Sequence, residues 1–270
     1  MSGQLNNNAF PVLSRTRTIA AAAALSILAG FAPALLLAAN VAPEAQVAED
    51  DAVIAKSLAT MLRAGRTVIS RSQEKINDPK LGDKGLDGKT VLAQAINIYR
   101  ESSGIDPQSI DPNSRHGKLL HMEMDAIVEV LDVHQQTINR QGVGFKGFIP
   151  AVFGRMVSES FARRAAGLAD MKITAPPSLL RNAKAAADDW ESSVISGKLM
   201  LASWPKDQIF SEVSKTNGKA AYRTAMPEYY GATCLSCHGS PAGDIDITGY
   251  QKEGANIGDL GGVISITLYR

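Results

Sequence analysis

The sequence predicts an α+β fold: long amphipathic helices first, then an antiparallel sheet that they flank. Three observations carry this. From Ala52 to Arg140 apolar residues recur at helical spacing. Beyond Met171 the pattern changes to short runs compatible with strands. Between two of those runs stands Asn217-Gly218, the preferred pair for a type I′ hairpin turn, where both positions need φ > 0.

The elements follow in order. Ile54, Leu58, Met61, Val68 and Ile76 line one face of a helix from Ala52 to about Ile76. Asn77-Asp78-Pro79 ends it, because a proline disfavours helix at the residue before it. Lys80 to Lys89 is a Gly-rich loop, and a second helix runs from Val91 to about Arg100. Pro107 and Pro112 mark a turn region over Asp106 to Asn113. A long helix from about Arg115 to Arg140 carries the seam Leu120, Met124, Ile127, Leu131, His134 and Ile138. Phe145 to Pro150 is an apolar loop opening into a segment that reaches Phe161. Met171 to Ala175 is a short strand before Pro176-Pro177. Ala183 to Ile195 is a short helix carrying Trp190, with Asn182 suited to cap it. Ile209–Lys215 and Lys219–Met226 form the hairpin, and the β-branched run Val263–Leu268 is the last strand.

Residues 1–45 read as a signal peptide or an N-terminal membrane anchor, and residues 46–270 as one domain. Arg15 and Arg17 precede an apolar run from Ile19 to Ala39, the arrangement of an export signal. The run is long for a signal-peptide core and just long enough to span a bilayer, so cleavage and anchoring both stay open. Either outcome places the domain in the periplasm. The chain holds 28 basic and 27 acidic residues. Arg15 and Arg17 are the only charges before residue 40, which leaves 26 against 27, a net of −1. That balance argues against nucleic-acid binding.

Function is concentrated in Cys234-Leu235-Ser236-Cys237-His238, which contains both cysteines of the chain. Two thiols three positions apart can each add to one vinyl group of a haem, giving two thioethers. The adjacent His238 then becomes the proximal iron ligand. The pentapeptide predicts one covalent haem c. Two other readings of the cysteines exist. A thioredoxin-like dithiol needs a βαβ unit around it, which the pattern does not supply. A zinc site needs four ligands, and His116, His121 and His134 complete one only from far along the chain.

Three stretches resemble the haem c-binding, PAS-like sensor domain family, which occurs at the extracytoplasmic end of some sensor kinases and as single-domain proteins. They are Gly144 to Ala151; Leu180-Arg181-Asn182 with Asp189-Trp190-Glu191; and Cys234 to Gly239 continuing through Asp246–Tyr250 to Gly258–Ser265. The resemblance implies a PAS-like antiparallel sheet, covalent haem and a redox or small-ligand sensing role. In some members a cysteine on the first helix supplies the second axial ligand. This chain has none; the corresponding stretch is roughly Val68 to Gln73, with Ser72 on the helix seam.

The sixth iron position is therefore open or filled by another group. His134 is the first candidate, since it lies on an apolar seam, although a hydrogen-bonded core histidine has the same signature. His116, His121, Met61, Met122, Met124, Met156 and Lys146 rank below it, methionine at helical spacing being usual core filler. Arg181 and Asn182 are candidates for the haem pocket through propionate contacts, or for helix capping. The leading functional expectation is a redox or small-ligand sensing module that acts through a redox partner or a separate signalling protein, with a diatomic molecule as one ligand class. A periplasmic electron-transfer cytochrome is the alternative, and a peroxidase-type haem enzyme ranks last because no distal Arg–His pair stands out.

Overall fold

The computed structural model describes residues 43–270, and the expected export segment lies outside the described residues. Helix α1 spans Pro43–Arg71 and α2 spans Gln73–Asn77. The sequence predicted one helix here. The break is Ser72, at φ −95° and ψ 3°, whose N–H is shared between the carbonyls of Val68 and Ile69. Ser72 thus sits at a helix joint rather than on a continuous seam. The expected apolar face is buried throughout: Ile54, Leu58, Met61, Val68 and Ile76 are all within the core. Asp78 after α2 is extended, as the following proline requires.

Helix α3, Gly88–Ser103, is longer than predicted at both ends. Asp87 caps it by accepting from the N–H of Thr90, and Gly104 closes it at φ 72°. Gly88 allows the close approach to α4 (Arg115–Val133), because a Cβ there would lie 2.6 Å from the Val128 carbonyl oxygen. The long helix expected to Arg140 instead stops at Val133 and resumes as α5, Gln135–Ile138. His134 is the joint. Its Nδ1 is 2.7 Å from the Val130 carbonyl oxygen, a side-chain contact at i−4 that competes with the backbone ladder. Helix α6, Pro150–Arg164, begins with proline in its first turn and buries Phe153, Val157 and Phe161.

Four strands form one antiparallel sheet: β1 (Ala169–Thr174), β2 (Phe210–Thr216), β3 (Lys219–Tyr229) and β4 (Leu260–Tyr269), in the order β1-β4-β3-β2. The predicted hairpin is present, with Asn217 at φ 52° and Gly218 at φ 77°. Pro227 is tolerated inside β3 because pairing with β2 ends at Ala225. Side chains alternate between faces. Met171, Tyr222, Met226, Ile264, Ile266 and Leu268 point to the face covered by α1 and α6, and merge with the helical core that α3 and α4 complete. Among the described residues the opposite face is covered at one end, by Val194, Ile195 and Leu199 packed on Ala225 and Val263.

The segment that covers it departs from the predicted helix Ala183–Ile195. A single 3-10 turn at Ala183–Ala185 is followed by extended Ala186. Helix α7, Asp189–Val194, then starts afresh, and Ile195–Leu199 continues it as one π-helical turn. The restart comes from a capping box: Asp188 accepts from the N–H of Glu191, whose carboxylate accepts from the N–H of Asp188. Among the described residues no helix is long and apolar enough to cross a membrane.

Candidate functional site

The Cys-x-x-Cys-His pentapeptide lies on the excursion between β3 and β4, two adjacent central strands. A bulge at Glu228/Tyr229 ends the regular pairing of β3. Tyr230 is then clamped from both sides: its N–H donates to the Asp259 carbonyl, and its carbonyl accepts from the Gly258 N–H. A 3-10 turn, Ala232–Cys234, runs directly into α8, Leu235–His238. One turn of helix brings residues three apart onto one side, so this is the local conformation the spacing of Cys234 and Cys237 needs. Gly239 allows the tight exit, since a Cβ would lie 2.6 Å from the Leu235 carbonyl oxygen. The His238 carbonyl accepts from Ala255, which ties the returning loop to the motif.

His238 is oriented through one nitrogen. Its Nδ1 lies 2.8 Å from Glu253 Oε2 and 3.2 Å from the Tyr230 hydroxyl, and its ring stacks on Tyr230 with centroids 4.7 Å apart. An ionised carboxylate only accepts, so Nδ1–H donates to Glu253, and in the neutral tautomer Nε2 is then the nitrogen with the lone pair. Burial, reinforced by the Glu253 charge, pushes the Tyr230 hydroxyl up to about 12, so the phenol stays neutral beside the imidazole.

Glu253 is held in turn by Arg181. The guanidinium Nε donates to Glu253 Oε1 at 3.1 Å and Nη2 to Oε2 at 3.2 Å. Nη1 donates to Asp246 Oδ2 at 2.6 Å, and Nη2 also reaches the Cys237 carbonyl at 2.9 Å. Burial acts against the charge of Arg181, but the Asp246 and Glu253 carboxylates outweigh it and raise its pKa. Asp246 is buried at the head of a tight loop. Burial alone would raise its pKa, yet hydrogen bonds from Thr248, Arg181 and the Tyr250 N–H hold it well below the usual carboxylate range. The result is a chain of four groups, His238–Glu253–Arg181–Asp246, that fixes the imidazole to the returning loop.

The structure places the remaining sequence candidates as follows. Arg181 is beside the motif, but its donors go to protein acceptors, which makes it a brace for Glu253 and Cys237. Asn182 caps the 3-10 turn by accepting from the Lys184 N–H. His134 is half-buried, with its ring 5.7 Å from that of Phe148; its Nε2 makes no hydrogen bond among the described residues. His121 turns back to the Gly117 carbonyl. His116 is pulled to lower pKa by burial. Of the α1 stretch near the motif, Ser70 reaches it rather than Ser72: its hydroxyl is 3.5 Å from that of Thr233. Arg63 and Arg66 on the same helix grip Glu228 at the end of β3. Glu253 and Tyr230 were missed by sequence reasoning. Glu253 lies fifteen residues from its histidine, with no spacing rule to link them. The Asp246-x-Thr248 turn was the visible signal for the loop that carries it.

The two other readings of the cysteines fit this geometry less well. Both thiols are free and half-exposed, and every strand pairing among the described residues is antiparallel, so none of them forms a βαβ unit around the motif. Among the described residues no three His, Cys, Asp or Glu side chains come together to hold a metal ion. The residues present fit a thioether-linked haem: two free thiols on one turn, beside an imidazole whose Nδ1 is occupied and whose Nε2 is available.

Fold and site together define an α+β domain with a Cys-x-x-Cys-His turn between its central strands. A family model described as Tll0287-like matches residues 44–268, and the chain belongs to that family. No curated protein and no solved structure matched the chain.

Proposed function

We propose that this protein is a periplasmic c-type haem module that senses redox state or a small ligand. The observation that carries the reading is His238, whose Nδ1 is fixed on Glu253 and whose Nε2 is left free beside Cys234 and Cys237. Cys234 and Cys237 would hold the haem by thioethers, with His238 as axial ligand. When bound, the group would supply a one-electron couple at iron and the capacity to bind a small ligand. The family membership and the antiparallel sheet flanked by helices support a PAS-like sensor domain. The N-terminal apolar run supports export. Signal output would pass to a separate protein. The half-exposed cysteines favour a second reading, an electron-transfer cytochrome, because an attachment turn at the surface suits transfer to a redox partner.

Glu253 has a defined part in either reading. A carboxylate on Nδ1 increases the donor strength of Nε2 and favours the oxidised state. Glu253→Gln is therefore expected to raise the reduction potential by roughly 60 mV, a tenfold change for a one-electron couple. Spectroelectrochemical titration of wild type and variant checks it, and an unchanged potential would remove Glu253 from this role.

The visible spectrum of oxidised and reduced protein separates the two ligand sets. A low-spin spectrum that becomes high-spin in His134→Ala assigns His134 as the sixth ligand. A high-spin wild-type spectrum leaves the position open, favours ligand sensing and retires His134.

A further inference from the structure

We infer that the uncovered end of the outer sheet face is a binding site for a small zwitterion of the α-amino acid class, separate from the Cys-x-x-Cys-His turn. A cavity of about 290 Å³ opens there. It is at the small end of the range for ligand pockets and suits a compact metabolite. Its floor is polar and buried: Ser265 and Thr267 of β4, Arg223 of β3 and Glu191 of α7.

The register sets two charged poles. Thr267 pairs with Asp170 on one side and with Arg223 on the other. Strands lie about 4.8 Å apart, so the Asp170 and Arg223 backbones are separated by roughly 10 Å across the Thr267 hydroxyl. Asp170 accepts one hydrogen bond, from the Tyr269 hydroxyl at 2.6 Å, which leaves acceptor capacity for an ammonium group. At the other pole the Arg223 guanidinium packs on Trp190, 4.2 Å from the ring centroid. Its Nη2 donates to Asp188 at 2.5 Å, but its Nε is buried with no hydrogen-bond partner. Lys172 stands beside it, 2.8 Å from Glu191. Among the described residues Arg223 and Lys172 are matched by Asp188 and Glu191, and Asp170 makes no ion pair. Asp170 thus offers an acceptor for a cation at one end of the cavity, and Arg223 and Lys172 are the donors that line the other.

The test uses the haem-loaded full chain and the twenty standard L-α-amino acids, added one at a time in thermal-shift and calorimetric titrations. At least one is expected to bind, and its N-acetyl and carboxamide derivatives are expected to bind at least about tenfold more weakly. Asp170→Asn and Lys172→Gln are both expected to weaken binding by a similar factor; Asp170→Asn, at the exposed rim, keeps the melting point of the free protein, whereas Lys172→Gln lowers it by leaving the buried Glu191 without that partner. Failure of all twenty to bind wild type overturns the inference. So does binding that is indifferent to both variants, or equal binding of the blocked derivatives.

Discussion

The Cys234→Ala, Cys237→Ala double variant, exported with haem-maturation machinery, is expected to carry no covalently bound haem. Both thiols are free and half-exposed, so their loss removes little packing. The helical core is formed by α1, α3, α4 and α6, none of which carries the cysteines. The variant is therefore expected to fold with the wild-type far-ultraviolet spectrum while a denaturing gel shows no haem stain. Each single variant retains one thiol and keeps a partial stain. A double variant that still stains at the wild-type level would show that the cysteines are not the attachment points.

Arg181→Ala is expected to be the most damaging single substitution near the site. It removes the partner of two carboxylates at once, and one of them, Asp246, has a fully buried side chain. Leaving a buried charge without its partner costs about 3–5 kcal/mol. For a domain of this size that corresponds to a fall in melting temperature of roughly 10 °C. Asp246→Asn combined with Arg181→Ala removes the orphaned charge and is expected to recover part of the loss.

The pH dependence follows from Asp246, whose folded pKa is depressed. Its contribution is fully present above the unfolded value near 4 and is lost as pH falls through the lower folded value. The gap between wild type and Arg181→Ala is thus expected to hold from pH 5 to 8 and to close only below about pH 4. Thermal melts across that range check it. A gap that closes near neutrality would place the dependence on another group.

How much of this was legible in the sequence depends on the range of the forces involved. Periodicity located α1, α3 and α4 because their apolar faces meet one core, and Asn217-Gly218 located the hairpin because only certain residues take φ > 0. The joints at Ser72 and His134 were not legible, because an apolar seam continues across both and only local backbone geometry interrupts it. The split of the Ala183–Ile195 segment could have been read from Asp188 and Glu191, which have capping-box spacing. At the site, the cysteines and His238 announce themselves by spacing. Glu253, Tyr230 and Asp246 do not, because a fold rather than a turn brings them to the imidazole. The polar pocket was invisible for the same reason, since it is made by register between strands far apart in the chain.

The most direct test of the central claim is the intact mass of the exported wild-type protein, taken after acid–acetone extraction and reaction with a thiol-alkylating reagent. The account predicts the polypeptide mass plus one haem, with neither Cys234 nor Cys237 alkylated. A mass equal to the bare polypeptide with both cysteines alkylated would contradict it.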